Sequence, residues 1–340
     1  MLIRLWRTML VLGMLVPINC LAAQAGFRSI TVPGADAGSE SIPIALFYPT
    51  QAPERSIAMG PFTAHVAMRA SPDARIKGLI VLSHGTGGTE LGQNSLAEAL
   101  ARDGYLVAAL RHPGDNWQDS SLLSKSPTRF FTERPQQASH VIDAVLQDPE
   151  WKDRIAKDEK GPIVGAVGHS AGGYTVLALA GGKPDLGLIR AHCDAHRAED
   201  PIFCGMGRTR EPGAAASTAQ PIPAISDARV RAVVALSPVG VVFTTSSLSG
   251  IAVPTLIYEP ELDRFLVPRF HAERVARDVP GAQLRRVPNA WHFAFMDSPS
   301  MPIETPDGDI RANPPGFDRQ AFLKQIGEEV PAFFDRVFRH

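Results

Sequence analysis

Residues 163–173 have the sequence Ile-Val-Gly-Ala-Val-Gly-His-Ser-Ala-Gly-Gly, and the architecture of the whole chain can be inferred outward from them. The apolar run Ile163–Val167 predicts a short buried strand, and Tyr174–Ala180 predicts the start of a helix. Gly168–Gly172 has the pattern G-x-S-x-G, whose glycines allow a very sharp turn between strand and helix. Such a turn lifts the Ser170 hydroxyl above the strand end, at the positive N-terminus of the helix. Ser170 is therefore the predicted nucleophile.

The same alternation of strands and helices continues on both sides of this turn. Mostly apolar or β-branched runs predict strands over Ile42–Tyr48, Lys77–Ser83, Tyr105–Leu110, Val230–Leu236 and Pro254–Tyr258, with a further candidate over His65–Arg69. A strand is also predicted over Gln283–Val287. Apolar residues at helical spacing predict helices over Thr89–Asp103, Arg134–Gln147, Arg269–Asp278 and Phe317–Phe338. No change of composition marks a boundary. Residues 26–340 are therefore predicted to form one α/β domain, a mostly parallel sheet of about eight strands with helices on both faces.

Two segments depart from the alternation. Residues 181–229 contain two cysteines and a run over Glu211–Ala224 that is rich in Gly, Ala, Pro and Ser. Residues 298–316 are rich in proline and predict an irregular loop before the last helix. We expect 181–229 to be an insertion on the rim of the sheet.

The first 25 residues have the features of a secretory signal peptide. Arg4 and Arg7 precede an apolar run over Leu10–Ala23, and residues 23–25 form an A-x-A cleavage site. The apolar run has about 14 residues, fewer than the roughly 20 that a membrane-spanning helix needs. Cleavage after Ala25 predicts an exported protein, periplasmic or secreted.

Composition and charge exclude several classes of protein. The 340 residues are 44% hydrophobic and 20% charged, values typical of globular proteins rather than of disordered chains. Lys and Arg number 34 against 35 Asp and Glu, a net charge of −1, whereas nucleic-acid-binding proteins generally carry a basic excess. We therefore expect a small-molecule substrate, no nucleic-acid partner and no membrane span.

Removal of the signal peptide takes Cys20 with it and leaves Cys193 and Cys204. An even pair in an exported protein predicts a disulfide between them. A metal site formed by His192, Cys193, His196 and Cys204 is an alternative, but this spacing matches no standard zinc pattern and export favours the disulfide. We therefore predict the disulfide and no metal. A lipid anchor on Cys20 is a further alternative, although the residues before it lack the small side chain that lipidation signals carry.

A serine hydroxyl is a weak nucleophile and needs a neighbouring base. In sheets with this kind of serine turn, the acid and then the histidine follow the serine along the chain. The late histidines are His271, His292 and His340. His292 lies in a loop directly after the last predicted strand, where the base belongs, whereas His271 lies in a predicted helix and His340 is the terminal residue. His292 is therefore the predicted base.

The acid is expected after the preceding strand, Pro254–Tyr258. The next five residues supply three candidates, Glu259, Glu261 and Asp263. We prefer Asp263, because four residues past the strand end allow the chain to turn back toward the histidine. Glu261 and Glu259 remain alternatives.

The tetrahedral intermediate of acyl transfer needs two hydrogen-bond donors for its oxyanion. One is predicted to be the backbone N–H of Ala171, directly after the nucleophile. The other is expected from the loop His84–Gly88, where glycines let the backbone approach the substrate. The His84 side chain is expected to brace this loop rather than to take part in catalysis.

Three motifs together give the chain a resemblance to a known family. They are LSHGTGG at Leu82–Gly88, the segment Gly104–Asn116 with its RHPGDN ending, and GHSAGGY at Gly168–Tyr174. From about Ile42 to its C-terminus, the chain resembles secreted bacterial α/β-hydrolases of the dienelactone-hydrolase-like group. That group is similar to platelet-activating-factor acetylhydrolases.

The resemblance implies an α/β-hydrolase fold with Ser170 as nucleophile, Asp263 as acid and His292 as base. It also implies that the second oxyanion donor is Thr86, two residues after the histidine of the H-G-x-G loop. Two features differ from the family pattern. True dienelactone hydrolases use a cysteine nucleophile, and the acid-bearing turn, which often carries a glycine, has Pro260 here.

These residues favour a serine esterase that cleaves carboxylic esters through an acyl-enzyme and needs no cofactor. The alternatives are the same residues acting on amides, phospholipid acetyl groups or polyesters, or a catalytically silent binding protein on this scaffold. Turnover of p-nitrophenyl acetate or butyrate separates an enzyme from a binding protein. Trp117, Phe130 and Phe131 are candidates for the pocket wall and, equally, for the core.

Overall fold

The computed structural model describes residues 23–206 and 222–338. Its strands, in chain order, are β1 (Gln24–Val32), β2 (Ile42–Thr50), β3 (Arg55–Met59), β4 (Phe62–Met68), β5 (Leu79–Ser83), β6 (Leu106–Leu110), β7 (Lys157–Asp158), β8 (Gly161–Pro162), β9 (Val164–His169), β10 (Val230–Leu236), β11 (Thr255–Pro260), β12 (Gln283–Val287), β13 (Glu304–Thr305) and β14 (Gly308–Asp309). Its α-helices are α1 (Asn94–Arg102), α2 (Ser121–Lys125), α3 (Pro127–Gln147), α4 (Ala171–Leu179), α5 (Leu186–His196), α6 (Pro201–Gly205), α7 (Thr245–Leu248), α8 (Ala272–Asp278) and α9 (Arg319–Phe338). Two short 3-10 helices span Pro268–Phe270 and His292–Phe295.

Ten strands form one sheet in the order β12-β11-β10-β9-β5-β6-β2-β1-β4-β3, and β7–β8 and β13–β14 are separate short hairpins. Every neighbouring pair from β12 to β6 is parallel. The antiparallel pairs are β2 with β6, β1 with β2, and β3 with β4. The predicted mostly parallel sheet is therefore confirmed, with ten strands rather than about eight, because β1 and β3 extend its antiparallel end.

Helices cover both faces of the sheet. Along β5, Leu79 and Val81 belong to the core beneath α3, α4 and α8, while Ile80 and Leu82 belong to the core beneath α1 and α9. Successive side chains of a strand point to opposite faces, so a strand covered on both sides must be apolar at every position. This is why a continuous apolar run identified β5 in the sequence.

The first strand overlaps the predicted signal peptide. Gln24 and Ala25 pair with Thr50 and Pro49 of β2, so β1 begins before the predicted cleavage site. Residues 1–22 lie outside the described part of the chain. Within the described residues, no helix combines the length and the apolar character that crossing a membrane requires.

The sheet has a topological switch point between β5 and β9. From β5 the chain continues to β6 on one side, and from β9 it continues to β10 on the other. Because the two connections leave in opposite directions, a crevice forms between the carboxyl ends of these neighbouring strands, where ligands bind in open α/β sheets. The loop His84–Gly88 follows β5 and Ser170 follows β9, so the topology brings both predicted parts of the site to this crevice.

A disulfide joins α5 to α6. Cys193 and Cys204 are bonded, with Cα atoms 5.3 Å apart, so the predicted disulfide is confirmed and a metal site that needs both thiolates is excluded. The Asp185 N–H, just before α5, donates to the Val242 carbonyl at 2.8 Å. Val242 follows β10, so the segment that contains α5 and α6 is attached beyond the carboxyl ends of the parallel strands. Most of the run Glu211–Ala224 lies outside the described residues.

Candidate active site

Ser170 lies in a tight turn between β9 and α4. Its backbone has φ 57° and ψ −115°, a conformation that a residue with a side chain adopts only when its surroundings enforce it. A Cβ added to Gly168 would lie 2.0 Å from the Gly172 carbonyl oxygen, and one added to Gly172 would lie 1.9 Å from that of Ser83. No larger residue fits either position. Both glycines of the G-x-S-x-G pattern are therefore required by close backbone contacts.

The turn leaves the Ser170 side chain available. The Ser170 N–H donates to the Leu236 carbonyl at the end of β10, at 2.9 Å, which anchors the turn to the sheet. The side chain is half-buried and makes no capping hydrogen bond to α4. Its oxygen thus lies at the N-terminus of a helix, where the helix dipole stabilises negative charge.

His292 and Asp263 come from separate loops and are hydrogen-bonded to each other. Asp263 follows β11, and His292 begins the short helix after β12. Nδ1 of His292 lies 2.7 Å from Oδ2 of Asp263, and both side chains are buried. Because a carboxylate only accepts, Nδ1 carries the ring proton and Nε2 keeps its lone pair. The ring is thereby held in the tautomer that can take up a proton at Nε2.

Four donors surround the Asp263 carboxylate. Oδ1 accepts from the backbone N–H groups of Phe265 and Leu266 at 2.8 and 2.9 Å, and Oδ2 accepts from His292 and from the Ser237 hydroxyl. Burial alone would raise the pKa of Asp263, but His292 and the hydrogen bonds from Leu266 and Ser237 hold that pKa below its usual value. Asp263 is therefore charged at neutral pH.

Ser237 is a member of this cluster that sequence reasoning missed. Its hydroxyl lies 2.5 Å from Oδ2 of Asp263 and 3.2 Å from Nδ1 of His292. It directly follows β10 and has φ 43°, so its backbone is held in the left-handed region. Since β10 and β11 are neighbours, a residue after one strand meets a residue after the other. Only that adjacency, and no motif in the sequence, could have identified Ser237.

His169 joins the histidine to the nucleophile turn. Its Nε2 donates to the backbone carbonyl of His292 at 3.0 Å, and the two ring centroids are 4.8 Å apart. Because His169 precedes Ser170, this bond holds His292 beside the turn. Within the described residues, the Ser170 hydroxyl makes no hydrogen bond to His292. Burial lowers the pKa of His169 to about 3, so its ring is neutral.

The other two candidate acids have different partners. Glu261 accepts from the Asn289 N–H at 2.9 Å, on the protein surface. Glu259 is buried, and its Oε2 lies 3.4 Å from Nε of Arg286. Of the three carboxylates, only Asp263 is brought to His292.

The two predicted oxyanion donors lie on opposite sides of the crevice. A Cβ added to Gly85 would lie 3.2 Å from Cβ of Ser170, so the loop after β5 touches the nucleophile turn. The backbone N–H groups of Thr86, in this loop, and of Ala171, at the start of α4, have no acceptor in the described parts of the chain. Both N–H groups are therefore free to bind a ligand oxygen.

His84 uses both ring nitrogens within the protein. Nδ1 donates to the Gly85 carbonyl at 2.6 Å, and Nε2 accepts from the His112 N–H at 3.1 Å. Burial lowers the pKa of His84 to about 3, so the ring is neutral. This side chain braces the loop, as expected from the sequence.

The three aromatic candidates for the pocket wall have separate locations. Phe130 and Phe131 are buried in the core, with Phe131 packed 4.7 Å from the ring of Tyr174. Trp117 is 65% exposed, and its backbone N–H donates to the Gly88 carbonyl at 3.1 Å. Of the three, only Trp117 is open to solvent, directly beside the loop after β5.

A second polar cluster consists of His192, Asp200 and His271. Nε2 of His192 and Nε2 of His271 lie 2.8 and 3.0 Å from Oδ2 of Asp200. The Gly240 N–H donates to Nδ1 of His271, so the proton of that neutral ring is on Nε2, which is then not free to ligate a metal ion. Burial lowers the pKa of His271, which favours this neutral ring. The cluster is therefore a hydrogen-bonded anchor between the α5–α6 segment and the start of α8.

Solved structures with the same fold include two hydrolases. A ferulic acid esterase from Streptomyces cinnamoneus has a TM-score of 0.61 and 20% sequence identity, over 96% of this chain and 92% of that one. A dienelactone hydrolase from Anabaena variabilis has a TM-score of 0.50 and 15% identity, over 93% of this chain and 100% of that one. At these identities the similarity shows the fold alone. No curated protein matches the chain.

The sequence match to a family is more extensive. The family described as alpha/beta hydrolase matches residues 80–303, well over half of the chain. The matched span contains the loop after β5, the Ser170 turn and the bonded pair Asp263 and His292. Fold, sequence match and the position of the serine turn agree, and the chain belongs to the alpha/beta hydrolase family.

Proposed function

We propose that the protein is a serine hydrolase that cleaves carboxylic esters of small molecules through an acyl-enzyme intermediate. The observation that carries the proposal is the buried hydrogen bond from His292 to the charged Asp263, beside the strained turn that presents Ser170. The family assignment and the similarity to a protein named as an esterase support hydrolytic chemistry.

In the acylation step, Oγ of Ser170 attacks the ester carbonyl carbon while its proton passes to Nε2 of His292. The carbonyl oxygen becomes an oxyanion that accepts hydrogen bonds from the N–H groups of Thr86 and Ala171. The imidazolium that forms is stabilised by Asp263. Collapse of the intermediate breaks the bond to the alcohol oxygen, which leaves with the proton from His292.

Deacylation repeats these steps with water in place of the serine. His292 takes a proton from the water as its oxygen attacks the acyl carbon, and the same two N–H groups hold the second oxyanion. Breaking the bond to Ser170 releases the carboxylic acid and returns the proton to the serine oxygen. No metal or cofactor is required at any step.

We propose that the enzyme acts after export from the cytoplasm. The N-terminal pattern of Arg4, Arg7 and the apolar run after them supports export, and so does the disulfide between Cys193 and Cys204. N-terminal sequencing of the protein recovered from the periplasm and from the medium tests the cleavage site and the location together.

The test of function is ester turnover by the purified mature protein. We expect p-nitrophenyl acetate and butyrate to be hydrolysed, Ser170→Ala to abolish turnover, and the exposed Ser124→Ala to retain it as a matched control. A fluorophosphonate probe should label the wild type and not Ser170→Ala. Labelling that persists in Ser170→Ala would assign the nucleophile to another residue, and a folded wild type without turnover of any ester would favour a binding protein.

A panel of substrates then identifies the substrate class. An acyl-chain series from acetate upward, a matched anilide, a phospholipid with an acetyl group and a polyester film separate the alternatives. A kcat/KM that is largest on the simple esters is the expected result.

A further inference from the structure

A fully buried ion pair lies behind the loop His84–Gly88. Arg134 on α3 and Asp115 after β6 are both 0% exposed, and Nη1 of Arg134 donates to Oδ2 of Asp115. Removing two charges from water costs much of the free energy that their attraction returns, so such a pair is a weak source of stability. The position of the pair is therefore more informative than its contribution to stability.

Each partner of the pair also binds the backbone of the loop. Nη2 of Arg134 donates to the His84 carbonyl, and Oδ1 of Asp115 accepts from the Gly87 N–H at 2.9 Å. These two bonds hold the loop on either side of Gly85 and Thr86. The Thr86 N–H, for which the described parts of the chain supply no acceptor, thus lies between two fixed points.

The same guanidinium is connected to the other side of the crevice. Nε of Arg134 donates to Oγ1 of Thr175 on α4 at 3.2 Å, and that hydroxyl donates to the Ala171 carbonyl at 3.0 Å. The Ala171 N–H is the other proposed oxyanion donor. A single side chain, Arg134, therefore connects the two segments that supply the proposed oxyanion donors.

Further hydrogen bonds hold the guanidinium of Arg134 in place. Nη2 of Arg134 also donates to Oγ of Ser83 at 3.2 Å, and that hydroxyl lies 2.8 Å from Nε2 of His112. Nδ1 of His112 lies 2.7 Å from Oε1 of Gln137. Every nitrogen of the guanidinium has a partner, so the network fixes the side chain in one conformation.

We propose that Arg134 and Asp115 are positioning residues that set the separation of the Thr86 and Ala171 N–H groups. The inference rests on the ester hydrolysis proposed above, since these N–H groups act only when an oxyanion forms between them. A displaced donor weakens binding of the charged transition state more than binding of the neutral substrate. The loss therefore falls on kcat, with KM little changed.

Two single variants test the proposal. In Asp115→Asn, the amide oxygen still accepts from Gly87, but the amide nitrogen cannot accept from Arg134. In Arg134→Lys, one nitrogen replaces a fork that holds several partners. For each we expect kcat on p-nitrophenyl butyrate to fall about 10- to 1,000-fold, since loss of a whole oxyanion donor costs about 100- to 1,000-fold and a displaced donor costs no more than that, with KM within about threefold of wild type.

A transition-state analogue separates positioning from a purely structural role. Oγ of Ser170 adds to the carbonyl carbon of a trifluoromethyl ketone while its proton passes to His292, and the former carbonyl oxygen becomes a hemiketal oxyanion in the oxyanion site. Its Ki should rise by the factor by which kcat/KM falls. The matched control is Asp227→Asn, because Asp227 is also a buried carboxylate paired with an arginine, Arg229. It lies just before β10, at the amino ends of the parallel strands, whereas Ser170 lies at their carboxyl ends. This control should lose stability and keep both kcat and Ki.

Folded Asp115→Asn and Arg134→Lys proteins with wild-type kcat and Ki would overturn the proposal. If neither variant folds, Thr175→Val preserves the shape of the side chain and removes the link between Arg134 and Ala171. We then expect kcat to fall about 3- to 10-fold with a matching rise in Ki, as for loss of one hydrogen bond. Unchanged values in Thr175→Val would also overturn the proposal. Failure of the ester function is distinct, because it shows as an inactive wild type or an active Ser170→Ala.

Discussion

Replacing Asp263 with asparagine should inactivate the enzyme while leaving the fold intact. The two side chains have nearly the same shape, so no cavity forms. The change replaces one acceptor oxygen with a donor nitrogen, in contact with the ring that serves as the proposed base. We therefore expect Asp263→Asn to report the protonation of His292 rather than the packing around it.

The structure determines which way the new amide must point. The N–H groups of Phe265 and Leu266 face Oδ1 of Asp263, so the amide oxygen takes that position. The reverse orientation would leave two buried N–H groups unpaired, at about 1–3 kcal/mol each. The amide nitrogen then faces Nδ1 of His292 and donates to it, which moves the ring proton to Nε2. We expect kcat to fall about 10⁴-fold, as for the wrong histidine tautomer in serine proteases, equivalent to about 5 kcal/mol.

The assay is kcat and KM on p-nitrophenyl butyrate, with thermal unfolding as the measure of folding. Glu261→Gln is the matched control, since Glu261 is the next carboxylate along the turn and binds the Asn289 N–H. We expect this control to keep turnover within about threefold of wild type, since exposed substitutions of this kind have small effects. Near-normal turnover in Asp263→Asn together with loss in Glu261→Gln would refute the reasoning and assign the acid to Glu261.

Three further predictions follow from other contacts. Ser237→Ala removes a donor to Asp263 and should lower kcat about tenfold, with KM unchanged, as for one hydrogen bond to a charged group. An unchanged kcat in the folded variant would exclude a positioning role for Ser237. Burial raises the pKa of Asp297 to about 6, so the folded state holds a proton that the unfolded state releases between about pH 4 and 6. The free energy of unfolding of wild type, relative to that of Asp297→Asn, should therefore fall by up to about 3 kcal/mol as the pH rises through that window, and stay constant above it. Urea unfolding of both proteins at pH 4, 5, 6 and 7 measures this difference. A difference that does not change with pH would contradict the prediction. Thiol titration of the native protein should find Cys193 and Cys204 unreactive, and their joint replacement by serine should cost at most about 3 kcal/mol of unfolding free energy, given the short loop that they close.

Most of the sheet was predictable because buried parallel strands have a local signature. Val230–Leu236 and Gln283–Val287 have the bounds that the sequence predicted. The first is a mostly apolar, buried run, and such a run ends where the chain leaves the sheet. The strands β1 and β3 were missed for different reasons. β1 overlaps the predicted signal peptide, and β3 is a largely exposed edge strand whose residues are not uniformly apolar.

The site was predictable where chemistry follows a strand end, and less so where it depends on which strands are neighbours. Ser170, His292 and Asp263 could each be placed from the order of serine, acid and histidine along the chain. Ser237 could not, because its contact with the acid exists only when β10 lies beside β11. Arg134 could not either, since an arginine in a helical pattern is usually a surface residue, and its burial depends on a contact with Asp115, 19 residues earlier.

The contact of Gly172 with the Ser83 carbonyl oxygen has a practical consequence for laboratory evolution. The nucleophile turn touches the adjacent strand with backbone against backbone, so any side chain at Gly172 would force β5 and β9 apart. Such a variant would widen the crevice that separates the two proposed oxyanion donors and would lose rate on every substrate alike. Libraries that seek new substrates should therefore hold Gly168 and Gly172 constant. Diversity belongs at Trp117 and along α5 and α6, where side chains can reshape the rim without changing the spacing of the strands.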